Sequence, residues 1–166
     1  MQSASARPAD PLAREKKTDT GGLRHKRRDS ERHDMIKLQH DVIDPKAWID
    51  NARIPGAGAI VTFTGIVRDD DIESIELETY QEAAEKDLAE IREAAIKQFS
   101  LLSADVVHRV GTMDIGDVIV LIVVTAGHRK EAFLGCEYII DRLKQTTPIW
   151  KKEYVKGGSR WVEGEH

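Results

Sequence analysis

The sequence predicts an α+β domain in which two main helices pack on a mainly antiparallel sheet. Three observations favour this class. Short runs rich in β-branched residues recur between glycine, proline and charged residues, which is typical of strands. Two longer segments carry apolar residues at helical spacing. The run DVIVLIVVT is apolar at consecutive positions, which indicates a central strand that is buried on both faces.

The predicted strands are rich in β-branched residues or alternate between apolar and polar residues. They cover residues 35–43, 59–67, 75–80, 104–113 and 118–125, followed by the short extended pieces IWKKEYV and SRWVE. Gly65 interrupts the second strand, which predicts a bulge or the close approach of another segment. A turn is predicted around Gly116, just before the central strand.

One short helix and two long helices are predicted. Asp44 is a good N-cap and Pro45 suits a first helical position, so the short helix should begin there. A long amphipathic helix is predicted over about residues 82–99. The helix after the central strand leads to Lys144 and stops before Pro148. Its apolar stripe consists of Ala132, Phe133, Cys136, Ile139, Ile140 and Leu143.

Composition limits the possible classes of function. A net charge of −4 over 166 residues does not favour broad nucleic-acid binding, so any anion site must be local. The single cysteine, Cys136, excludes an internal disulfide and fits a reducing, cytoplasmic compartment. No apolar run approaches the roughly 20 residues of a membrane helix, so no membrane association is expected. Because Cys136 falls within an apolar stripe, we expect a buried, unreactive thiol.

The first 34 residues differ in composition from the rest. They contain proline, glycine, serine and mixed charges but almost no apolar residues. Such a segment cannot bury enough surface to order itself, so residues 1–34 are predicted to be a disordered extension. The basic cluster RHKRR within it is interpreted as part of a solvated tail rather than as a contact for an acidic partner. Residues 35–166 then form the folded domain.

Cationic residues lie at both ends of the helix that follows the central strand. His128 and Arg129 stand at its start, Lys144 lies near its end, and Lys151 and Lys152 follow the proline. Backbone N–H groups at a helix start favour anions, and an arginine adds a bidentate fork for phosphate. The pattern therefore predicts a pocket for an anion.

Each of these residues also has a simpler interpretation. Lys144 borders the apolar stripe, where it either reaches out to water or has its ammonium held in a partly dry site. His128 can be a structural histidine, and Arg68 can form a surface salt bridge with the acidic run 69–71. Lys151 and Lys152 are adjacent in an extended piece, so only one of them can face a pocket.

Other chemistries find little support in the sequence. His128 has no second histidine or carboxylate at ligand spacing, so no metal site is predicted. Neither a Walker loop nor a GxGxxG motif is present, and no cofactor is expected. His108 and Arg109 lie in the middle of a predicted strand and are interpreted as structural or interface residues.

Six segments stand out by their order and spacing. They are VTFTGIVRD (61–69), LETYQEAAEKDLAEI (77–91), VVHRVGTMDIGD (106–117), TAGHRKEAF (125–133), DRLKQTTPIWKKE (141–153) and RWVE (160–163). Together, more than any one of them alone, they resemble one family, the large catalytic subunit of molybdopterin synthase. The resemblance covers nearly everything from residue 59 onward.

The resemblance implies an α/β-hammerhead fold and a homodimer. It also implies a small ubiquitin-like sulfur-carrier subunit at each end of the dimer, which gives a heterotetramer. The carrier's C-terminal Gly-Gly thiocarboxylate would insert into a pocket of this subunit. There, cyclic pyranopterin monophosphate would receive two sulfurs and become molybdopterin, the dithiolene ligand of molybdenum cofactor.

The resemblance also implies roles for particular residues. Lys144 and Lys151 match the catalytic lysines of the family. The matching substrate-binding positions are Ile66, Val67, Arg68, His128, Arg129, Lys144, Lys151, Lys152 and Glu153. The chain departs from the family at Ile66, where a basic or polar residue is common, and in the short, acidic loop 69–74.

Two other classes of function remain open from the residues alone. The same cations would suit a phosphate- or nucleotide-binding module without catalysis, and turnover would distinguish that case. A structural subunit that only anchors the sulfur carrier is the other class, and such a scaffold should keep its function without Lys144.

Overall fold

The computed structural model describes residues 35–162, so the predicted N-terminal extension lies outside the described residues. Within that range the chain forms three helices and eight strands. The strands are β1 (Ile36–Gln39), β2 (Ala59–Ile66), β3 (Ser74–Thr79), β4 (Ser103–Arg109), β5 (Gly111–Asp114), β6 (Val118–Ala126), β7 (Ile149–Val155) and β8 (Gly158–Val162). The helices are α1 (Pro45–Asn51), α2 (Gln81–Phe99) and α3 (Arg129–Thr146).

The strands form two four-stranded sheets. The first sheet has the order β1-β4-β6-β2, in which only the β1–β4 pair is parallel. The second sheet has the order β5-β3-β7-β8 and is antiparallel throughout. The predicted α+β class with mainly antiparallel pairing is confirmed, although two sheets replace the single one expected.

The predicted strand 104–113 is wrong in one respect, because the chain divides it between the two sheets. β4 belongs to the first sheet and β5 to the second. The break follows Val110 at Gly111, whose φ of +86° lies in the left-handed region that favours glycine. A side chain there would also meet His40, since an added Cβ would lie 2.7 Å from its Nδ1.

Strand β6 is the centre of the first sheet and is buried on both faces. Val120, Ile122 and Val124 pack toward α2 and α3, whereas Leu121 and Val123 pack toward α1. The prediction of a central strand is therefore confirmed. The β2–β6 pair shifts its register beside Gly65, and an added Cβ at Gly65 would lie 2.7 Å from the Val120 side chain. The bulge and the close approach predicted for this glycine are therefore both present.

Helix ends largely follow the sequence signals. The Asp44 carboxylate accepts a hydrogen bond from the Lys46 backbone N–H at 3.0 Å, so the predicted N-cap of α1 is confirmed. Helix α3 continues to Thr146 and stops before Pro148, as predicted. Within residues 35–162, none of the helices is long and apolar enough to cross a bilayer.

The apolar stripe of α3 is confirmed except at its edge. Ala132, Cys136, Ile139 and Leu143 are buried, whereas Phe133 is 63% exposed. At about 100° per residue, Phe133 lies on the same edge of the helix as Ile140 and Lys144. That edge meets solvent at the start of α3, so the apolar stripe extends onto an exposed position at Phe133.

Candidate functional site

A cavity of about 580 Å³ lies where the last turns of α3 meet both sheets. This volume is within the range of about 300–1,000 Å³ that is typical of small-molecule sites. Strands β2 and β6 of the first sheet and β3, β7 and β8 of the second all contribute to its wall. Most of the wall is apolar, and its apolar side chains are Phe63, Ile66, Ile75, Leu77, Ile119, Val120, Ile140, Leu143, Ile149 and Val162.

Three cationic side chains from distant parts of the sequence line this cavity. Arg68 follows the end of β2, Lys144 lies in the last turn of α3, and Lys151 lies on β7. The prediction placed Arg68 and Lys144 in one site with His128 and Arg129, and the pairing of the two sheets around α3 brings Arg68 and Lys144 together with Lys151 instead. The arginine also forms the predicted surface salt bridge, with its Nη2 at 3.1 Å from a carboxylate oxygen of Asp70.

Lys144 reaches the cavity because of its angular position on α3. It is an exposed residue on the edge of the buried stripe, one residue after buried Leu143. Ile140, four residues earlier on the same edge, lines the same cavity. The structure therefore favours the interpretation in which this lysine reaches water, with its side chain bordering an apolar wall.

Glu153 holds Lys151 by an ion pair in which the carboxylate is buried and the lysine side chain is partly exposed. Its carboxylate is only 5% exposed and accepts a hydrogen bond from Lys151 Nζ at 3.0 Å. Arg160 donates to the same carboxylate through Nε at 2.9 Å and Nη2 at 2.8 Å. Burial by itself raises the pKa of Glu153, but the hydrogen bonds and charges of Lys151 and Arg160 outweigh it and lower the pKa below its ordinary value. The carboxylate therefore stays ionised and fixes the lysine.

Lys152 faces away from the cavity, as the alternation along β7 predicts. Its Nζ lies 5.2 Å from the ring centre of Tyr154 and 5.5 Å from that of Trp161, both on the outer face of the second sheet. Val67 is buried and is also outside the cavity lining, and its backbone pairs with Gly116 and Asp117. These two candidate positions lie next to the cavity wall rather than in it.

His128 and Arg129 do not reach this cavity within one chain. They lie at the start of α3, and the 18 residues of that helix span about 27 Å. The β2–β6 pair shows the same separation, because Ala59 pairs with Ala126 at one end while Ile66 pairs with Val118 at the other. Among the candidate residues, the structure therefore groups Arg68, Lys144 and Lys151 but places the His-Arg pair at the opposite end.

Two polar residues that sequence analysis did not assign to the site also line the cavity: His108 and Thr147. The His108 ring is buried, and its Nδ1 lies 2.8 Å from the Arg109 carbonyl oxygen. Burial lowers the pKa of His108. The alternation along β4 places His108 on the same face as Val106, so the sequence indicates that His108 faces the helices. The sequence does not indicate that α3 ends over His108 and leaves a cavity there.

Within residues 35–162, no group of three or more His, Cys, Asp or Glu side chains is placed to hold a metal ion. The polar groups of the cavity are instead three cations, an imidazole and a hydroxyl. Such a set has the chemistry to bind an anion and to form hydrogen bonds with a small organic molecule.

An α+β fold with three cations around a cavity between its two sheets offers the kind of site that suits an anionic small molecule. Comparison with known proteins identifies the family. Residues 38–146 match the family model described as MoaE protein, so the chain belongs to the MoaE family. The resemblance identified from the sequence segments is thereby confirmed.

Individual relatives and solved structures agree with this family. The chain is similar to molybdopterin synthase catalytic subunits of Ralstonia nicotianae and Pyrococcus abyssi. The first is 46% identical over 134 residues, covering 77% of this chain and 76% of the relative. The second is 39% identical over 112 residues, covering 65% and 76%.

Two solved structures are also similar. One is molybdopterin synthase from Staphylococcus aureus, with a TM-score of 0.73 and 36% identity over 76% of this chain and 95% of that one. The other is described as a complex of subunits 1 and 2 of molybdopterin-converting factor from Helicobacter pylori. It has a TM-score of 0.68 and 25% identity over 78% of this chain and 90% of that one.

Proposed function

We propose that this chain is the catalytic subunit of a molybdopterin synthase, a sulfurtransferase of molybdenum cofactor biosynthesis. It transfers two sulfurs from the thiocarboxylated C-terminus of a small sulfur carrier to cyclic pyranopterin monophosphate, which forms the dithiolene of molybdopterin. The observation that carries the proposal is the cavity that gathers Arg68, Lys144 and Lys151 in a member of the MoaE family. The buried thiol of Cys136 fits the reducing cytoplasm in which we expect the enzyme to work.

The cations of the cavity suit both reactants, because the pterin phosphate and the thiocarboxylate are anions. Arg68 offers a planar fork that can bind phosphate through two N–H groups. Lys144 and Lys151 can neutralise the oxyanion that forms when the thiocarboxylate carbon is attacked. Glu153 supports this role by holding the Lys151 ammonium in one place, which reduces reorganisation during the reaction. Ile66, whose side chain is apolar, would then contribute wall contacts and backbone groups.

The partner is a small ubiquitin-like carrier that ends in Gly-Gly. A two-subunit complex is described for the similar Helicobacter pylori structure, which supports a small-subunit partner for this chain. A Gly-Gly tail has no side chains, so it can enter a cavity that is open to solvent on the side of Arg68 and Lys144. The apolar wall then excludes water from the thiocarboxylate.

The homodimer gives His128 and Arg129 a place in the same reaction. Their separation from the cavity in one chain means that they can serve its substrate only from a second copy. Exposed apolar side chains lie beside both groups, with Phe133 near the His-Arg pair and Ile66 near Arg68. Burial of these side chains between two copies would stabilise such a dimer.

Reconstitution tests this function directly. Wild-type protein mixed with thiocarboxylated carrier and cyclic pyranopterin monophosphate should form the dithiolene, and Lys144→Ala should reduce turnover at least about 100-fold, by analogy with the loss of one oxyanion-stabilising group. Lys86→Ala, which removes a lysine from the exposed surface of α2, is the matched control and should turn over normally.

The two other classes predict different results in the same assay. A binding module would bind the pterin phosphate without forming dithiolene. A scaffold would stay active without Lys144, so near-normal turnover by a folded Lys144→Ala variant would contradict the catalytic assignment.

A further inference from the structure

We propose that His108 binds the heterocycle of the substrate, with its Nε2 accepting a hydrogen bond from an N–H or O–H group of the ring at the buried end of the cavity. This inference rests on the proposed function, because it assumes a pterin as the occupant. It gives a binding role to a residue that the sequence pattern indicated only as structural or as an interface group.

The cavity has an open side and a buried side, and His108 lies at the buried side. Ile66, Arg68 and Lys144 are exposed residues of the lining and form its open side. His108 is only 5% exposed and lies with buried Val120 and Leu143 at the inner side. A ligand with an anionic group and an uncharged ring would therefore place its anion at the open side and its ring toward His108.

The hydrogen bond of Nδ1 determines which nitrogen can accept. The Arg109 carbonyl oxygen, 2.8 Å from Nδ1, has no proton to donate, so Nδ1 carries the proton and donates it. In the neutral ring, Nε2 then carries the lone pair. The backbone thus sets the tautomer before any ligand enters.

The surroundings of the ring favour its neutral form. Its neighbours on the paired strands are Leu38 and Val120, which are apolar. Burial lowers the pKa of His108 and outweighs the hydrogen bond to the Arg109 carbonyl oxygen, which raises it. The charged groups that line the cavity are cations. His108 is therefore a hydrogen-bond acceptor in a cavity whose charged lining groups only donate.

The remaining polar group of the lining complements this acceptor. Thr147 lies directly after α3, and its Oγ1 is buried without a hydrogen-bond partner among the described residues. A buried hydroxyl without a partner is costly, and a ligand that satisfies it gains binding energy. A pterin ring presents both N–H donors and ring acceptors at its edges, so its polar edge matches an imidazole acceptor and a hydroxyl.

The test measures binding of cyclic pyranopterin monophosphate by calorimetry in the presence of carrier that lacks the thiocarboxylate, so that no turnover occurs. His108→Leu should weaken pterin binding about tenfold, equivalent to about 1.4 kcal/mol, because it removes the acceptor. His108→Gln keeps an acceptor oxygen and should stay within about threefold of wild type. His40→Leu, the same change at an exposed histidine outside the cavity, is the matched control.

Two further ligands separate a binding role from a structural one. Affinity for inorganic phosphate and for the carrier should be unchanged in His108→Leu. Equal losses for pterin, phosphate and carrier would show a purely structural residue and overturn the proposal, as would wild-type pterin affinity in a folded His108→Leu protein. Failure of the proposed function is distinguishable, since it would appear as absence of dithiolene formation by wild-type protein with thiocarboxylated carrier.

A measurement on the wild-type protein covers the case in which His108→Leu does not fold. In nitrogen-15 spectra of the histidine rings, the Nε2 signal of His108 should move toward that of a hydrogen-bonded nitrogen when the pterin is added. Inorganic phosphate alone should leave it in place. A signal that does not respond to saturating pterin overturns the proposal.

Discussion

At the scale of the residue, the site depends on side chains that hold other side chains in position. Glu153 is the clearest case, because its buried carboxylate contacts both Lys151 and Arg160. The glutamate faces the lysine from within the same strand, two residues away, while Arg160 approaches from the paired strand β8. Removing the carboxylate would leave two cations close together without a counter-ion, which is unfavourable in a partly buried site.

Glu153→Gln should therefore change the pH dependence of stability. The pKa of Glu153 is lowered from its ordinary value of 4.5, so the unfolded chain binds the proton more readily than the folded one. The stability that the ionised carboxylate contributes is fully present above about pH 4.5 and is lost as the pH falls through the lower folded pKa. Melting temperatures of wild type and Glu153→Gln are to be measured at about five pH values between pH 3 and pH 7. The two sets of values should converge at the acid end.

A constant difference in melting temperature between wild type and Glu153→Gln at all pH values would contradict this account. Glu153→Asp is a suitable control, because it keeps the charge while shortening the side chain. It should retain the acid-dependent loss of stability but place the carboxylate less well against Lys151.

Cys136 provides a second prediction at this scale. Burial raises the pKa of its thiol to about 11, so almost no thiolate exists at neutral pH and the sulfur is a poor nucleophile. Cys136→Ala should keep most single-turnover activity with thiocarboxylated carrier and lose about 1 kcal/mol of stability through reduced packing. Trapping of a persulfide on Cys136 during turnover would instead show that sulfur passes through this chain.

At the scale of the element, α3 explains both what the sequence predicts and what it misses. Its apolar stripe and the proline after it define the helix, and the angular position of Lys144 follows from the same spacing. The cations at its two ends suggested one pocket. A helix of 18 residues keeps its ends about 27 Å apart, so sequence proximity at both ends of an element does not mean spatial proximity.

Strands β4 and β5 show a different limit of sequence analysis. The run 104–113 has a continuous β-strand composition, and nothing in its alternation shows that it serves two sheets. The positive φ at Gly111 and the nearby His40 side chain become visible only in the structure. This break also matters for the site, because it lets β4 place His108 in the cavity while β5 joins the second sheet.

At the scale of the whole molecule, the cavity is formed by segments that are distant from one another in the sequence. The family resemblance assigned Arg68, Lys144 and Lys151 to one site, and the pairing of both sheets with α3 brings these residues to one cavity. His108 and Thr147 carry no comparable motif, so their place depends on where α3 ends relative to β4. Such a relation between distant segments has no signature in local composition or periodicity.

The proposed homodimer leads to the last prediction, which uses two variants that damage different parts of the site. Lys144→Ala removes a cation of the cavity, and Arg129→Ala removes a cation at the far end of α3. Each homodimer should have little activity. If the His-Arg pair of one copy completes the cavity of the other, a mixed dimer contains one site with both substitutions and one site with neither.

Mixing the two variants under conditions that exchange subunits should therefore restore activity. When mixing is random, half of the dimers are mixed and each has one intact site, so about one quarter of all sites regain wild-type turnover, provided that dimers assemble with closed two-fold symmetry. Lys144→Ala mixed with Lys151→Ala is the control, because both substitutions lie in the cavity of the same chain and each site of a mixed dimer keeps one of them. Restoration in the control alone, or no restoration with Arg129→Ala in dimers that demonstrably exchange, would show that the two ends of α3 do not act on one substrate.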